Sequence, residues 1–463
     1  MLATTPTLAD PVQLQDVIRD ALQGSLSLHR AKNKIDSAKG QLLEAKSPFD
    51  WTALAQTGWQ RFFAPGLTGV STGSGFVDAW RTTVGVTKEF SNGISMSPGV
   101  TTLITPGIKS LQALGYQQVL PTINLTIPLD RGLGTENADA NERAATASLR
   151  GSRLDYDYAL QKAVHDAVQI FWRCLAAADQ RMVMLESDQQ QTDYEHYLQE
   201  MVSRGQLEPE TVQRAQADHA LSEENIERAN EGVWSCRREL ASAVGVGGRA
   251  MLEPTGDLPH PERYGPAIAK LQPESLVAYA LDNRRDLRAL KSYVEAQRDR
   301  LKGAKDELNP KVDVVLDPFQ AFVRYSQSIN RYGAKGHIAE IMSAESDAEI
   351  ALEQGRQSVR SDIENAITGL QELWRGWPML IGAQHNLQHM EETTEQRVRA
   401  GTADRSALRA AQDDLARAKH ATFDTRLRLA SILASLRLYT GTVALDGDTS
   451  KTIATEFSTL PQP

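Results

Sequence analysis

"VRAGTADRSALRAAQDD", residues 398–414, sets Gly401 between two helical runs, and "VSRGQLEPETVQRAQAD", residues 202–218, repeats the arrangement around Gly205. At a constant shift of 196 residues Val212 answers to Leu408, Ala215-Gln216 to Ala411-Gln412 and Asp218 to Asp414. The register persists to the far end, where "ELASAVG" closes on Gly245 and "ILASLRLYTG" on Gly441. A glycine that ends a helix in the left-handed conformation, followed by an acidic or proline helix start such as Glu208-Pro209-Glu210 or Asp404-Arg405-Ser406, marks the tip of an antiparallel helical hairpin. Upstream, "LQDVIRDALQGSLSLHRAKNKIDSAKGQLLEAKSP" (14–48) pairs with "PESLVAYALDNRRDLRALKSYVEAQRDRLKGAKDELNP" (273–310). Each half of the chain therefore reads helix, insert, long helix, turn, long helix, an internal duplication.

The helices after the tips carry a packing stripe. It runs Val212, Ala215, His219, Ser222, Ile226, Ala229, Val233, Cys236, Leu240 in the first and Leu408, Ala411, Leu415, Ala418, Thr422, Thr425, Leu429, Ile432, Leu436 in the second. Steps alternating between three and four residues define a coiled-coil seam. A period of about 3.5 on a helix of about 3.6 residues per turn imposes left-handed supercoiling. Most knobs are small, so one hairpin buries little apolar area and needs neighbours. The helices leading into the tips, near 137–202 and 336–399, hold roughly 65 residues each, on the order of 100 Å at about 1.5 Å per residue. Trp377-Pro378 falls within the second of them, where the absent N–H is expected to kink the helix.

Composition excludes other classes. The 463 residues hold 59 acidic and 50 basic side chains, a net charge of −9, without a Lys/Arg-rich tract, which argues against a nucleic-acid partner. No apolar run is long enough for a membrane-spanning helix. Two cysteines are too few for a disulfide framework. "MLATTPTLADP" lacks the basic start and apolar core of a secretion signal, so the chain is read either as cytosolic or as one from which a signal is absent.

Between Pro48 and Asp130 the character changes. "WTALAQTGWQRFF", "AWRTTVGVTKEFSNGISMSPGVTT" and "YQQVLPTINLTIPL" are β-branched and aromatic stretches bounded by turn signals, and they read as strands. Exposed strand edges aggregate unless closed into a barrel, and in lipid closure is obligatory. One chain has too few strands, so several copies are expected to share one wall. Trp51, Trp59, Phe62, Phe63, Trp80 and Phe90 are candidates for interfacial aromatic girdles, with packing inside a β-core as the competing account. The second insert, Pro310 to Asn330, has about 20 residues, barely two spanning strands of about 9–11 each. It reads as a stunted hairpin, or as one from which residues near Asp317–Phe319 are absent.

The doubled "LQDVIRDAL" and "LVAYALDNRRDLRAL", the "RAGTADRSALRAAQDDLARAK" turn, the "LASAVG" closure and the "LTIPLDRGLG" strand-to-helix junction together resemble the outer-membrane efflux (TolC-like) family over nearly the whole chain. The resemblance implies a mainly α fold with a β part. Long antiparallel coiled-coil helical hairpins form an α-barrel tunnel, and three protomers each give four strands to a transmembrane β-barrel. It implies a passive exit duct of a tripartite efflux pump or type I secretion system, in the outer membrane of a Gram-negative bacterium, with most of the chain in the periplasm. The implied partners are two further copies in a homotrimer, a periplasmic adaptor (membrane fusion) protein, an inner-membrane transporter and outer-membrane lipid. Adaptor docking is expected at Arg204, Gly205, Gln206, Leu207, Ala400, Gly401, Thr402 and Ala403. Where the family often has an aspartate, nine residues past the second tip glycine, this sequence has Ala410. The expected tunnel constriction then falls to Asp218, Asp413 and Asp414. In three copies Asp218 and Asp414 would form a ring of carboxylates, the plainer account being solvated helix positions.

On this reading residues 1–47 are an N-terminal segment and first helix, 48–130 the barrel insert, 131–245 the first hairpin with its tip at 203–210, and 246–272 a linker or equatorial region. Residues 273–309 are the helix of the second repeat, 310–331 the shortened insert, 332–441 the second hairpin with its tip at 399–406, and 442–463 a tail. Cys174 and Cys236 lie 31 residues before and after Gly205, hence at similar heights. They pair in an oxidising compartment or serve as two small buried hydrophobes, and the sequence leaves both open. His385 and His389 share a helix face at metal-ligand spacing but lack the Glu of a zinc-protease motif, so a solvated face is the reading. "GVGGRA" lacks the Lys-Ser/Thr of a phosphate loop. No nucleophile, base and orienting group fall together by spacing, so no enzyme, cofactor or metal is read. The rival to the duct is a soluble helical-hairpin scaffold whose strands form a small capping sheet.

Overall fold

The computed structural model describes residues 10–63, 76–104, 118–246, 252–318, 320–443, 449–457 and 459–461. The start of the chain, most of "GVGGRA" and Phe319 lie outside them, as do the side chains of Phe62 and Phe63. The described residues are mainly helical with a sheet part. In order they form β1 (Asp10–Val12), α1 (Leu14–Gly24), α2 (Leu26–Lys46), β2 (Thr52–Phe63), β3 (Phe76–Glu89), β4 (Ser95–Ile104), β5 (Gln118–Pro128), α3 (Thr135–Ala138), α4 (Ala140–Ser203), α5 (Pro209–Ala243), β6 (Leu252–Pro254), α6 (Gly265–Ile268), α7 (Pro273–Asn283), α8 (Arg285–Asp306), β7 (Lys311–Asp317), β8 (Gln320–Ser326), α9 (Tyr332–Arg399), α10 (Arg405–Thr440) and α11 (Thr449–Phe457). The chain divides into two compact units, one of residues 34–153 and 289–353, the other of residues 1–33, 154–288 and 354–463.

The first unit is built on a sheet of order β2-β3-β4-β5-β7-β8, every pairing antiparallel. Among the described residues this sheet has six strands, two more than the four per copy that the resemblance implies for a barrel. Four of them, of 12, 14, 10 and 11 residues, come from the first insert, while β7 and β8 have seven each. The reason lies in insert length, since about 20 residues cannot make two strands of about 10 and a turn. β3 turns into β4 through Ser91-Asn92-Gly93, where Gly93 takes φ +85° and its Cα approaches the carbonyl oxygen of Gly132 so closely that a Cβ would lie 2.0 Å from it. The "LTIPLDRGLG" junction is pinned by buried Asp306, which accepts from the Gly132 amide at 2.6 Å and from Asn137 and Asn309 at 3.1 and 3.0 Å.

The second unit holds both hairpin tips. Every residue of the two stripes is buried or half-buried, because alternate three- and four-residue steps keep one face of α5 and α10 inward. Gly205, Gly245, Gly401 and Gly441 all take left-handed φ between +69° and +79°. Each closes its helix with the same pair of bonds: at the tips Gly205 N donates to Val202 O and Gln206 N to Met201 O, and Gly401 N donates to Val398 O and Thr402 N to Arg397 O. These bonds satisfy carbonyls that the last turn leaves open. The core gathers Val17 and Ile18 of α1, Phe171 and Trp172 of α4, Leu240 of α5, Ala430 and Ala434 of α10 and Phe457 of α11. Cys174 and Cys236 are joined there in a disulfide, with Cα atoms 5.5 Å apart, so the pairing reading holds and the free-thiol reading falls.

α9 passes through Pro378 as one helix, so the proline does not break it. Trp377 is buried and donates from Nε1 to Glu262 at 2.7 Å, and Trp374 lies against Gly265 so closely that a Cβ there would sit 2.2 Å from the ring. The 261–268 segment therefore packs on α9 beside the proline.

The helix ends abut the short helices of each repeat. A Cβ on Gly245 would lie 2.0 Å from Gly24 O, and one on Gly24 would lie 2.3 Å from Val244 O. Gly24→Ala or Gly245→Ala must push backbone apart, an expected loss of about 2–4 kcal/mol. Gly205, with nothing within 4 Å of its Cβ position, should lose only the left-handed backbone cost, about 1–2 kcal/mol, on becoming Ala. Thermal melts of the three purified variants test the contrast.

Candidate functional site

Pairing registers sort the sheet's side chains into two faces, since residues opposite each other in an antiparallel ladder point the same way. One face carries Trp59, Trp80, Val84, Val86, Val100, Ile104, Val119 and Ile123, all exposed, with Val84 at 56% and Val119 at 62%. It continues over Val314 and Leu316 to Val323 and Tyr325. The opposite face is mainly polar: Gln56, Gln60, Arg81, Thr83, Thr87, Ser97, Thr101, Thr122 and Asn124. Hydroxyl pairs cross it, Thr83–Thr101 at 3.1 Å and Thr87–Ser97 at 3.0 Å. A contiguous exposed apolar face backed by a polar one is what a membrane barrel needs and what a water-soluble sheet avoids.

Aromatics bound the apolar face. Trp51 and Phe90 are exposed at the end nearer the helices, with Lys88 over the Trp51 ring at 5.8 Å. Trp59 and Trp80 face each other toward the other end, followed by the ion pair Arg61–Asp78 at 2.6 Å. Trp51 to Trp59 is eight residues of extended chain, about 26 Å at roughly 3.3 Å each, against an apolar band about 25 Å tall in outer-membrane barrels. Exposure of these four rings rules out packing inside a β-core for them.

The tips expose Arg204, Gly205, Gln206, Leu207, Ala400, Gly401 and Thr402, and Ala403 is half-buried. Beside them α10 is fastened to α4. Arg405 lies over the Tyr197 ring at 4.4 Å, Arg409 donates to Ser187 O at 3.2 Å, and Lys419 pairs with Glu186 at 2.8 Å. Asp413 pairs with Arg409 at 2.8 Å and Asp414 with Arg417, whereas Asp218 is exposed. The three carboxylates are within electrostatic reach. Burial pushes the Asp413 carboxyl above its ordinary value of 3.8, the charges of Arg409 and Arg417 oppose this, and Asp414 and Asp218 add to it.

For an acid whose folded pKa is raised, ionisation costs stability above that pKa and nothing below the unfolded value. Asp413→Asn is therefore expected to melt no lower, and by sign higher, than the parent at about pH 7, with the difference gone by about pH 3. A lower melting temperature at neutral pH would contradict it.

Two constellations escape sequence reading. His165 Nδ1 meets Asp166 Oδ1 at 2.9 Å and its Nε2 meets Ser435 Oγ at 3.3 Å, a Ser-His-Asp contact between residues 270 apart. Ser435 lies within α10, whose own backbone amides are bonded within the helix. Gln169 also donates to Ser435 Oγ, at 3.2 Å. His219, on the α5 stripe, is held by Glu195 at 2.7 Å and Thr192 at 3.2 Å. Among the described residues, no group of His, Cys, Asp and Glu is placed to hold a metal, and His385 and His389 are exposed on α9.

The order and pairing of these elements define the fold of the TolC-like outer-membrane efflux channels. The outer-membrane protein VceC of Vibrio cholerae superposes with a TM-score of 0.66 at 15% identity, over 92% of this chain and 96% of that one. The CmeC outer-membrane channel of Campylobacter jejuni gives 0.65 at 12%, over 97% and 90%. The MtrE outer-membrane channel of Neisseria gonorrhoeae, in its open state, gives 0.64 at 15%, over 94% and 89%. At such identities the likeness is one of fold. No family model matches the sequence, and no curated protein matches it.

Proposed function

We propose that three copies of this chain form a passive outer-membrane exit duct, each giving β2–β5 to a shared transmembrane barrel and its hairpins to a periplasmic tunnel. The apolar exposed face of the sheet carries the reading, because lipid is the solvent that such a face fits. Strand lengths of 10 to 14 residues meet the span of about 9–11 that a membrane strand requires. β7 and β8, at seven residues, fall short of it. The Cys174–Cys236 disulfide supports an oxidising compartment, as the periplasm of a Gram-negative bacterium is. The fold shared with solved outer-membrane channels supports efflux or secretion through the duct, with a periplasmic adaptor and an inner-membrane transporter as its partners.

In this duct the tips Arg204–Leu207 and Ala400–Ala403 receive the adaptor, and Asp218, Asp413 and Asp414 narrow the tunnel. Fractionation tests the membrane reading: detergent should extract a trimer from outer membranes, while a monomer in the soluble fraction would favour the scaffold reading instead. For the tips, Gly205→Arg and Gly401→Arg are expected to cut export at least tenfold while trimers persist, since nothing lies within 4 Å of either Cβ position. Undiminished export would remove the tips from the docking surface.

A further inference from the structure

We infer that the barrel closes by β2 of one copy pairing antiparallel with β5 of the next, and that the β7–β8 hairpin holds the β5 edge only until that strand arrives. The inference rests on the barrel proposed above. β2 and β8 are the two edges of the sheet. β5 is paired to β4 along Gln118–Thr126 but to β7 only along Leu125–Pro128. On that second side Gln118–Asn124 have no strand partner among the described residues. Were β2 of a neighbour to meet β8, two strands would lie between it and β5, three spacings or about 14 Å at roughly 4.8 Å each. Seven residues of β5 and five of the 12 in β2 would then stand bare at bilayer depth. Lipid offers such backbone groups no partner, and open edges do not occur there.

Against β5 the fit is different. β2 has 12 residues and β5 has 11, and the three antiparallel steps between them in one copy make them antiparallel across copies too. Their apolar faces join without a break. What must yield is the four-residue pairing of β5 with β7 and the adjoining bond from Leu129 N to Val312 O. All seven residues of β8 are exposed, on both faces.

Disulfide trapping in intact outer membranes tests the seam, and the two native cysteines, already joined, do not compete. Gln56→Cys or Gln60→Cys on the polar face of β2 is combined with Leu120→Cys, Thr122→Cys or Asn124→Cys in β5, and separately with Phe322→Cys or Arg324→Cys in β8. Trimer-sized products with β5 and none with β8 are expected. Products with β8, or a trimer that links to neither strand, overturn the seam while the barrel stands. Absence of the chain from the membrane overturns the barrel reading itself. As a second measurement, Val323→Lys in β8 should leave trimer yield within twofold of the parent, and a loss as large as that from Val84→Lys in β3 would put the hairpin in the lipid-facing wall.

Discussion

Lysine at Val84 and Val100 together is expected to abolish insertion and leave no extractable trimer. The two valines oppose each other across β3 and β4, on the apolar face between the Trp51–Phe90 and Trp59–Trp80 ends. A lysine on the lipid face near the bilayer midplane costs about 2–4 kcal/mol. Each copy carries both changes, so the cost is about 4–8 kcal/mol per copy, comparable with the about 5–15 kcal/mol by which a typical domain is stable, and it falls on all three copies at once. The same charges on the opposite face are the control. Gln56→Lys with Asn124→Lys places lysines on exposed positions of the polar face, where water in a lumen would solvate them, and near-parental trimer yield is expected. Membrane-fraction immunoblots and native gels read both outcomes. Insertion of the Val84/Val100 variant, or equal loss in the control, would sink the two-faced reading of the sheet.

The parts of the fold that the sequence discloses are those set by local spacing. The stripe from Val212 to Leu240 is legible because a helix repeats every few residues, and the structure keeps every member of it from full exposure. Gly205 and Gly401 are legible because a left-handed helix stop favours glycine. Strand number was not legible in the same way. β5 meets β7 through pairs such as Leu125–Leu316, nearly 200 residues apart, and no periodicity records such a meeting. At Pro378 the missing N–H is legible locally, but the contacts of Trp374 and Trp377 with the 262–265 segment, beside which the helix continues, come from outside the helix.

The same division holds for the candidate site. Alternation along a single strand is blurred by glycines and threonines, and Leu54 and Leu120 even fall on the polar side. Only when the three registers of β2–β5 are superimposed do Trp59, Trp80, Val84, Val100 and Ile123 share one surface. Asp218 and Asp414 could be matched from the 196-residue shift, but the Arg409–Asp413 and Arg417–Asp414 pairs that partly compensate the acids depend on side-chain directions that spacing alone does not give.

Removing the disulfide as Cys174→Ala with Cys236→Ala is expected to loosen the first hairpin by about 4 kcal/mol. Equal distance from Gly205 made the pairing geometrically open, but two sulfurs meet only if the seam brings the backbones close, as it does here with the two Cα atoms 5.5 Å apart. The bridge closes a loop of 62 residues. In the chain-entropy account a loop of that size restricts the unfolded chain by about 4 kcal/mol at room temperature. Alanine keeps the site apolar within a core that includes Phe171, Leu175 and Leu240, so no buried hydroxyl confuses the comparison. About 4 kcal/mol corresponds to roughly a thousandfold change in an opening equilibrium. Hydrogen exchange of α4 and α5 amides near residues 170–178 and 232–240 should therefore accelerate by up to that factor, with far less change in the second hairpin. Unchanged exchange would mean that helix packing alone holds the hairpin, and a thiol count of two on denatured, unreduced protein would remove the bridge altogether.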